Sequence, residues 1–354
     1  MDALRVYVIE AFLRCSPASI LLVALVIFAG CGGGSESSSS GEESAEDGST
    51  AKETTEGGTD ETSGETASST RPYTAIVASA ESGTGPPDEV LVDGAEDFSD
   101  GPLKENRLVA YYGNPRESAM GVLGETDPET MMQNLKEQTA AYSAADPGRP
   151  AVPTIELIAS TAQRDPGEDG TFISRLPTEE IEEYATLAEE NGALLLLDVQ
   201  LGQSTVADEI EALRPFLERP YVHLAIDTEY YVREGEIPGV DLGGVDGAEI
   251  QGAVEALSQL VEEEGIPDKV LVIHQFESGI VTNKQLIEPT ENVEVVLNAD
   301  GFGPVEEKIE KYDVLVGEEP IQYGGFKLFY TQDPVLLSPE QVRQLDPAPA
   351  VVNY

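Results

Sequence analysis

From Leu108 onward, short apolar runs alternate with longer stretches in which apolar residues recur at helical spacing. The apolar runs are Leu108–Gly113, Val152–Ser160, Ala193–Gln200, Val222–Tyr230, Val270–Phe276, Val293–Asp300, Val314–Gly317 and Phe326–Thr331, and each predicts a strand. Between them the spacing predicts helices over Pro128–Ala144, Thr178–Glu190, Val206–Leu217, Ala248–Glu264, Val305–Tyr312 and Pro339–Leu345. Strands and helices in alternation imply an α/β fold with a parallel sheet. About eight strands in roughly 245 residues match a TIM-type (β/α)8 barrel. The stretch around 318–325 carries no helical pattern, so the seventh unit is expected to be irregular. A doubly wound open sheet is the rival arrangement. No GxGxxG or Walker loop follows the first strand, which argues against a nucleotide-binding version.

The pattern before the barrel differs. Ala18 to Ala29 is uncharged and mostly apolar. It is shorter than the ~20 residues of a membrane-spanning helix and has the length of a signal-peptide core. Arg5 and Arg14 precede it, diluted by Asp2 and Glu10, and it ends Phe28-Ala29-Gly30-Cys31. This ending resembles the bacterial lipoprotein signal, in which small residues precede a lipidated Cys. The resemblance implies a signal peptide over residues 1–30, cleavage before Cys31 and acylation of its sulfur. It further implies a lipid-anchored protein on the extracytoplasmic face of the cell membrane, with the bilayer as partner. Acidic Gly-, Ser-, Thr- and Glu-rich sequence follows. Such sequence buries too little apolar surface to offset chain entropy. A disordered linker is expected over 31–103, transitional from residue 73, and the barrel over 104–354.

Charge removes whole classes of function. Asp and Glu number 67 against 20 Lys and Arg, for a net charge of -47. That excess repels phosphate backbones, so no nucleic-acid partner is expected. Two Cys, Cys15 and Cys31, make neither a disulfide framework nor a cysteine-rich metal site. There is no Trp, the side chain best suited to stacking on sugars. Nothing in the sequence calls for a cofactor or sets an oligomeric state.

Strand alternation then assigns faces. Val222, Leu224 and Ile226 form an apolar set facing the helices, so His223, Ala225, Asp227 and Glu229 point into the barrel. By the same parity Glu156, Asp198, Gln200, Asn298 and Asp300 point inward near their strand ends. Barrel active sites lie at that C-terminal end. Acids gathered at one rim repel, which raises the pKa of some and leaves others ionised, so that one carboxyl acts as acid and its neighbour as base. Glu229, Asp227, Asp198 and Asp300 are the catalytic candidates. Glu156, Gln200 and Asn298 are candidate ligand-binding residues. His274 and Gln275 end a strand whose two faces are both apolar, and either is placed to meet a ligand. Lys327, inside a late strand, neutralises the rim or holds a ligand carboxylate. Tyr112 and Tyr230, near strand ends with Tyr111, Tyr231 and Tyr330, offer faces for sugar rings. His223 lies early in its strand and is expected at the barrel floor.

The Asp227-Thr-Glu229 segment, at the end of the fourth strand, resembles chitinase-like glycoside hydrolases and a family of barrel lysozymes. The resemblance implies that Glu229 donates a proton and that Asp227 orients or stabilises it. Ala225 and Val222 stand where the chitinase pattern carries Asp. The expected function is therefore an anchored barrel that acts on or binds a polysaccharide or wall glycan. The alternative is a solute-binding or structural envelope lipoprotein without turnover. A metal-dependent hydrolase using His274 with Asp198, Asp227 or Asp300 is a third reading. No HxH or HExxH spacing supports it, so no metal site is expected.

Overall fold

Strands that are apolar on both faces need side chains packed inside and helices packed outside, and a closed parallel barrel supplies both. The computed structural model describes residues 89–318 and 321–354. The predicted signal peptide, Cys31 and most of the predicted linker lie outside those residues. Eight parallel strands form the barrel: β1 (Arg107–Asn114), β2 (Ala151–Ala162), β3 (Leu194–Gln200), β4 (Val222–Asp227), β5 (Lys269–Gln275), β6 (Val293–Ala299), β7 (Tyr323–Lys327) and β8 (Val351–Asn353). Each pairs with the next, and β8 pairs with β1, so the ring closes. The rival open sheet is thereby excluded.

The helices follow the predicted pattern: α1 (Pro128–Ala145), α2 (Thr178–Asn191), α3 (Val206–Leu217), α4 (Gly247–Glu264), α5 (Val305–Tyr312) and the single turn α6 (Pro339–Val342). Asp127 caps α1 by accepting from Thr130 N at 3.0 Å, and Pro128 fits the first turn. α2 and α4 stop at Gly192 and Gly265, whose φ of 64° and 62° is open to glycine at little cost.

Three strand expectations need correction. Val314–Gly317 is not a strand; residues Asp313–Gly317 continue α5 as a π-helical turn. A short apolar run reads alike in either setting. The run expected as the eighth strand, Phe326–Thr331, belongs to the seventh, which spans Tyr323–Lys327, and the eighth is the later Val351–Asn353. The fourth strand ends at Asp227, where residues Thr228–Tyr230 turn into a 3-10 helix. Two units are irregular. The seventh has only α6, and the fifth, between β5 and β6, carries a 3-10 turn at Lys284–Leu286 in place of a helix.

The folded body also starts before residue 104, so the predicted linker ends earlier than expected. Val90 and Val92 are buried, and Leu91 bridges Tyr323 at the N-terminal end of β7. Glu294 of β6 accepts from Leu103 N and Lys104 N, each at 3.1 Å, which fastens this lead-in across the bottom of the barrel. Above it, Thr154, Leu196, Ala225, Val272 and Val296 lie buried in the interior. The barrel is a packed core beneath its mouth, not a pore.

Candidate active site

Register decides which side chains meet. Gln200 lies level with Asp227, Asp227 with His274, and His274 with Asn298. Tyr112 lies level with Glu156 on the other side of the ring. Four neighbouring strands thus carry polar residues at one height near their C-terminal ends.

His274 is the hub. Its Nε2 lies 2.7 Å from Glu156 Oε1, and its Nδ1 lies 3.1 Å from Asp300 Oδ1. Asn298 Nδ2 donates to Asp300 Oδ1 at 2.6 Å, and Lys327 Nζ donates to Asp300 Oδ2 at 3.0 Å. Lys327 also sits 3.5 Å from the centre of the Tyr112 ring, a cation–π contact. Asn353 donates to Glu156 Oε2. Gln200 Nε2 donates to Asp227 Oδ2 at 3.3 Å, and the Tyr112 hydroxyl donates to the same oxygen at 3.5 Å. Asp198 is fully buried, and neither of its carboxylate oxygens has a hydrogen-bond partner.

These contacts sort the titrations. Burial pushes the Asp198 carboxyl well above its usual range, and the negative Asp227 adds to the push. Asp227 is also raised by burial, against the pull of His274 and Lys327. Burial acts on Asp300 in the same direction, but Lys327 and His274 outweigh it and hold this carboxyl below the usual range. Burial disfavours charge on His274, yet Asp300 and Glu156 outweigh it and lift its pKa well above the ordinary value.

Glu229 reaches the mouth by a different route from the one expected. It stands on the turn after β4, and Thr228 Oγ1 fixes that turn by donating to His274 O at 2.6 Å. Glu229 and Tyr230 are half-buried at the lip. Burial, then the negative Asp227 and Asp300, push Glu229 up to about 8. A carboxyl so placed carries its proton at neutral pH and can deliver it.

The structure brings together Glu156, Asp198, Gln200, Asp227, His274, Asn298, Asp300, Lys327 and Tyr112, with Glu229 and Tyr230 at the edge. Gln275 does not join them. It follows His274 on the strand and points to the other face, donating to Leu315 O at 2.9 Å among the outer elements. Tyr111 and Tyr330 also lie elsewhere, in an outer cluster with Tyr142 and Tyr354. His223 is buried below, its Nδ1 accepting from Val270 N at 3.1 Å. Asn353 is the contributor that sequence reading missed. Its strand is three residues long, and the apolar pair Val351-Val352 is the only signal there.

The centre is tightly closed. The Glu156 and Asp198 side chains are 0 % exposed, and that of Asp300 is 14 % exposed. Two surface grooves lie elsewhere: one of about 830 Å³ runs beside α1 and α2, past Met132, Lys136 and Leu187, and another of about 640 Å³ lies at Val281–Gln285. Glu156, Asp198 and His274 each offer one ligand atom, and all three lie within 4.8 Å of one another. No helix among the described residues is long and apolar enough to cross a membrane.

No protein-family model and no curated protein matches the chain. Among solved structures it is similar to a glycerophosphoryl diester phosphodiesterase from Parabacteroides distasonis, at 11% identity and a TM-score of 0.36, over 75% of this chain and 90% of that one. So distant a likeness carries no argument about chemistry.

Proposed function

We propose that the barrel is a glycoside-hydrolase-like enzyme in which Glu229 is the general acid and Asp227 its carboxylate partner. The observation that carries this reading is the placement of Glu229 at the half-exposed lip, its pKa lifted to about 8 by burial and by two carboxylates beneath it. Glycoside hydrolysis needs one protonated carboxyl at the leaving oxygen and a second carboxylate to stabilise the positive charge that develops on the sugar. Glu229 supplies the proton. Asp227, steadied by Gln200 and Tyr112, supplies the negative charge. Tyr230 beside Glu229 offers a ring face to the sugar. In this proposal the enzyme works outside the cell on a lipid anchor at Cys31, a view supported by the Phe28-Ala29-Gly30-Cys31 sequence.

One observation favours a second reading, a glycan-binding or structural lipoprotein without turnover. The polar centre is closed, with Glu156 and Asp198 fully buried. Glu229→Gln separates the two. The enzyme loses about 10²–10⁴-fold in reducing-end release while glycan binding persists. If the wild-type chain binds glycans and releases no reducing ends across a glycan panel, the hydrolase reading fails.

A further inference from the structure

Beneath the proposed acid lies a group the hydrolytic reading does not use. Asp198 is fully buried with both oxygens unpartnered. Burying an unsatisfied carboxyl is costly, and the cost persists unless something occupies the space beside it. Asp198 faces Glu156 and His274, the one group of three or more potential metal-ligating residues this close together among the described residues.

We propose that Glu156, Asp198 and His274 bind one divalent transition-metal ion inside the barrel mouth. This inference does not rest on turnover. Three features of the site support it. The donor set is one imidazole nitrogen and two carboxylates, which suits Zn²⁺ or Mn²⁺ better than Ca²⁺ with its six to eight oxygens. Two carboxylates match the charge of the ion. The far side of two ligands is already held: His274 Nδ1 meets Asp300 Oδ1 at 3.1 Å, and Asn353 donates to Glu156 Oε2. A carboxylate on the distal nitrogen is the usual way a metal-binding His is oriented. An ion at Nε2 takes the place of the hydrogen now between His274 and Glu156. Donors around a tetrahedral ion on ~2.1 Å bonds stand about 3.4 Å apart, so a set within 4.8 Å closes when its farthest side chains draw together by up to about 1.4 Å.

The test uses the full chain, stripped with a chelator and titrated by calorimetry with ZnCl2 and separately with MnCl2. The expected result is one ion per chain, with affinity reduced about tenfold or more in Asp198→Asn and in His274→Gln. Should either variant fail to fold, Co²⁺ added to the wild-type chain decides. Visible absorption bands that Zn²⁺ abolishes support the site, and their absence refutes it. A wild-type chain that retains no ion, or folded variants that bind as tightly as wild type, overturn the proposal. Glu229→Gln binds the ion normally in every case, so loss of its turnover and loss of metal binding are separate failures.

Discussion

The two ends of the barrel both bury charge, and they treat it in opposite ways. At the closed end Glu294 is met by Leu103 N, Lys104 N and Ser99 Oγ, and Lys269 Nζ donates to the carbonyls of Arg219 and Val222. These two side chains are held chiefly by backbone groups. At the mouth, side chains lean on other side chains, and Asp198 is left with no partner. Among the described residues it is the only carboxylate with both oxygens buried and unpartnered. Charge satisfied by backbone reads as architecture. A polar group left open in the interior carries a burial cost that nothing else among the described residues repays.

The sharpest way to break this contrast is at the closed end. Glu294→Ala strands the buried Leu103 N–H and removes the acceptor of Lys104 N–H, and a loss of about 2–4 kcal/mol is expected in urea unfolding, with ion binding retained by the folded fraction. A small loss would mean that the lead-in holds without its acceptor. At the mouth, pH comes next. Activity that depends on a protonated Glu229 falls about tenfold per unit as pH rises beyond about 8, and a pH–rate profile flat to pH 10 rejects that role. The same raised pKa makes the folded state hold a proton that the unfolded chain has released. The associated stability is full below the unfolded pKa of about 4.3 and is lost as pH rises through about 8. Asp198→Asn reverses the sign seen at Glu294: with chelator present it should raise stability by about 1 kcal/mol, because it removes an unpaired acid. A lower Tm would show that Asp198 is satisfied in the ion-free protein. The smallest effect belongs to Gln275→Met. It costs about 1 kcal/mol through the Leu315 carbonyl and leaves turnover within about twofold.

Much of this architecture was legible in the pattern of apolar residues. Strand parity turned Asp198, Gln200 and Asp227 inward because β3 and β4 are regular up to those positions. It misled where strands stop. By alternation Glu229 continues β4, whereas the chain turns at Thr228, so its approach depends on a hydrogen bond to His274 O that no alternation reveals. Gln275 and His274 were inseparable because both faces of β5 are apolar, and only register with Asp227 and Asn298 distinguishes them. β8 was too short to show a period. The unpartnered state of Asp198 is a property of packing, and it has no counterpart in spacing or composition.

The lead-in strapped beneath β6 and β7 sets a direction. The chain enters the barrel at its sealed base, through Leu91 and the Glu294 clasp, opposite the acidic mouth. A force applied at residue 89 is taken up at the base, and the opening faces the other way.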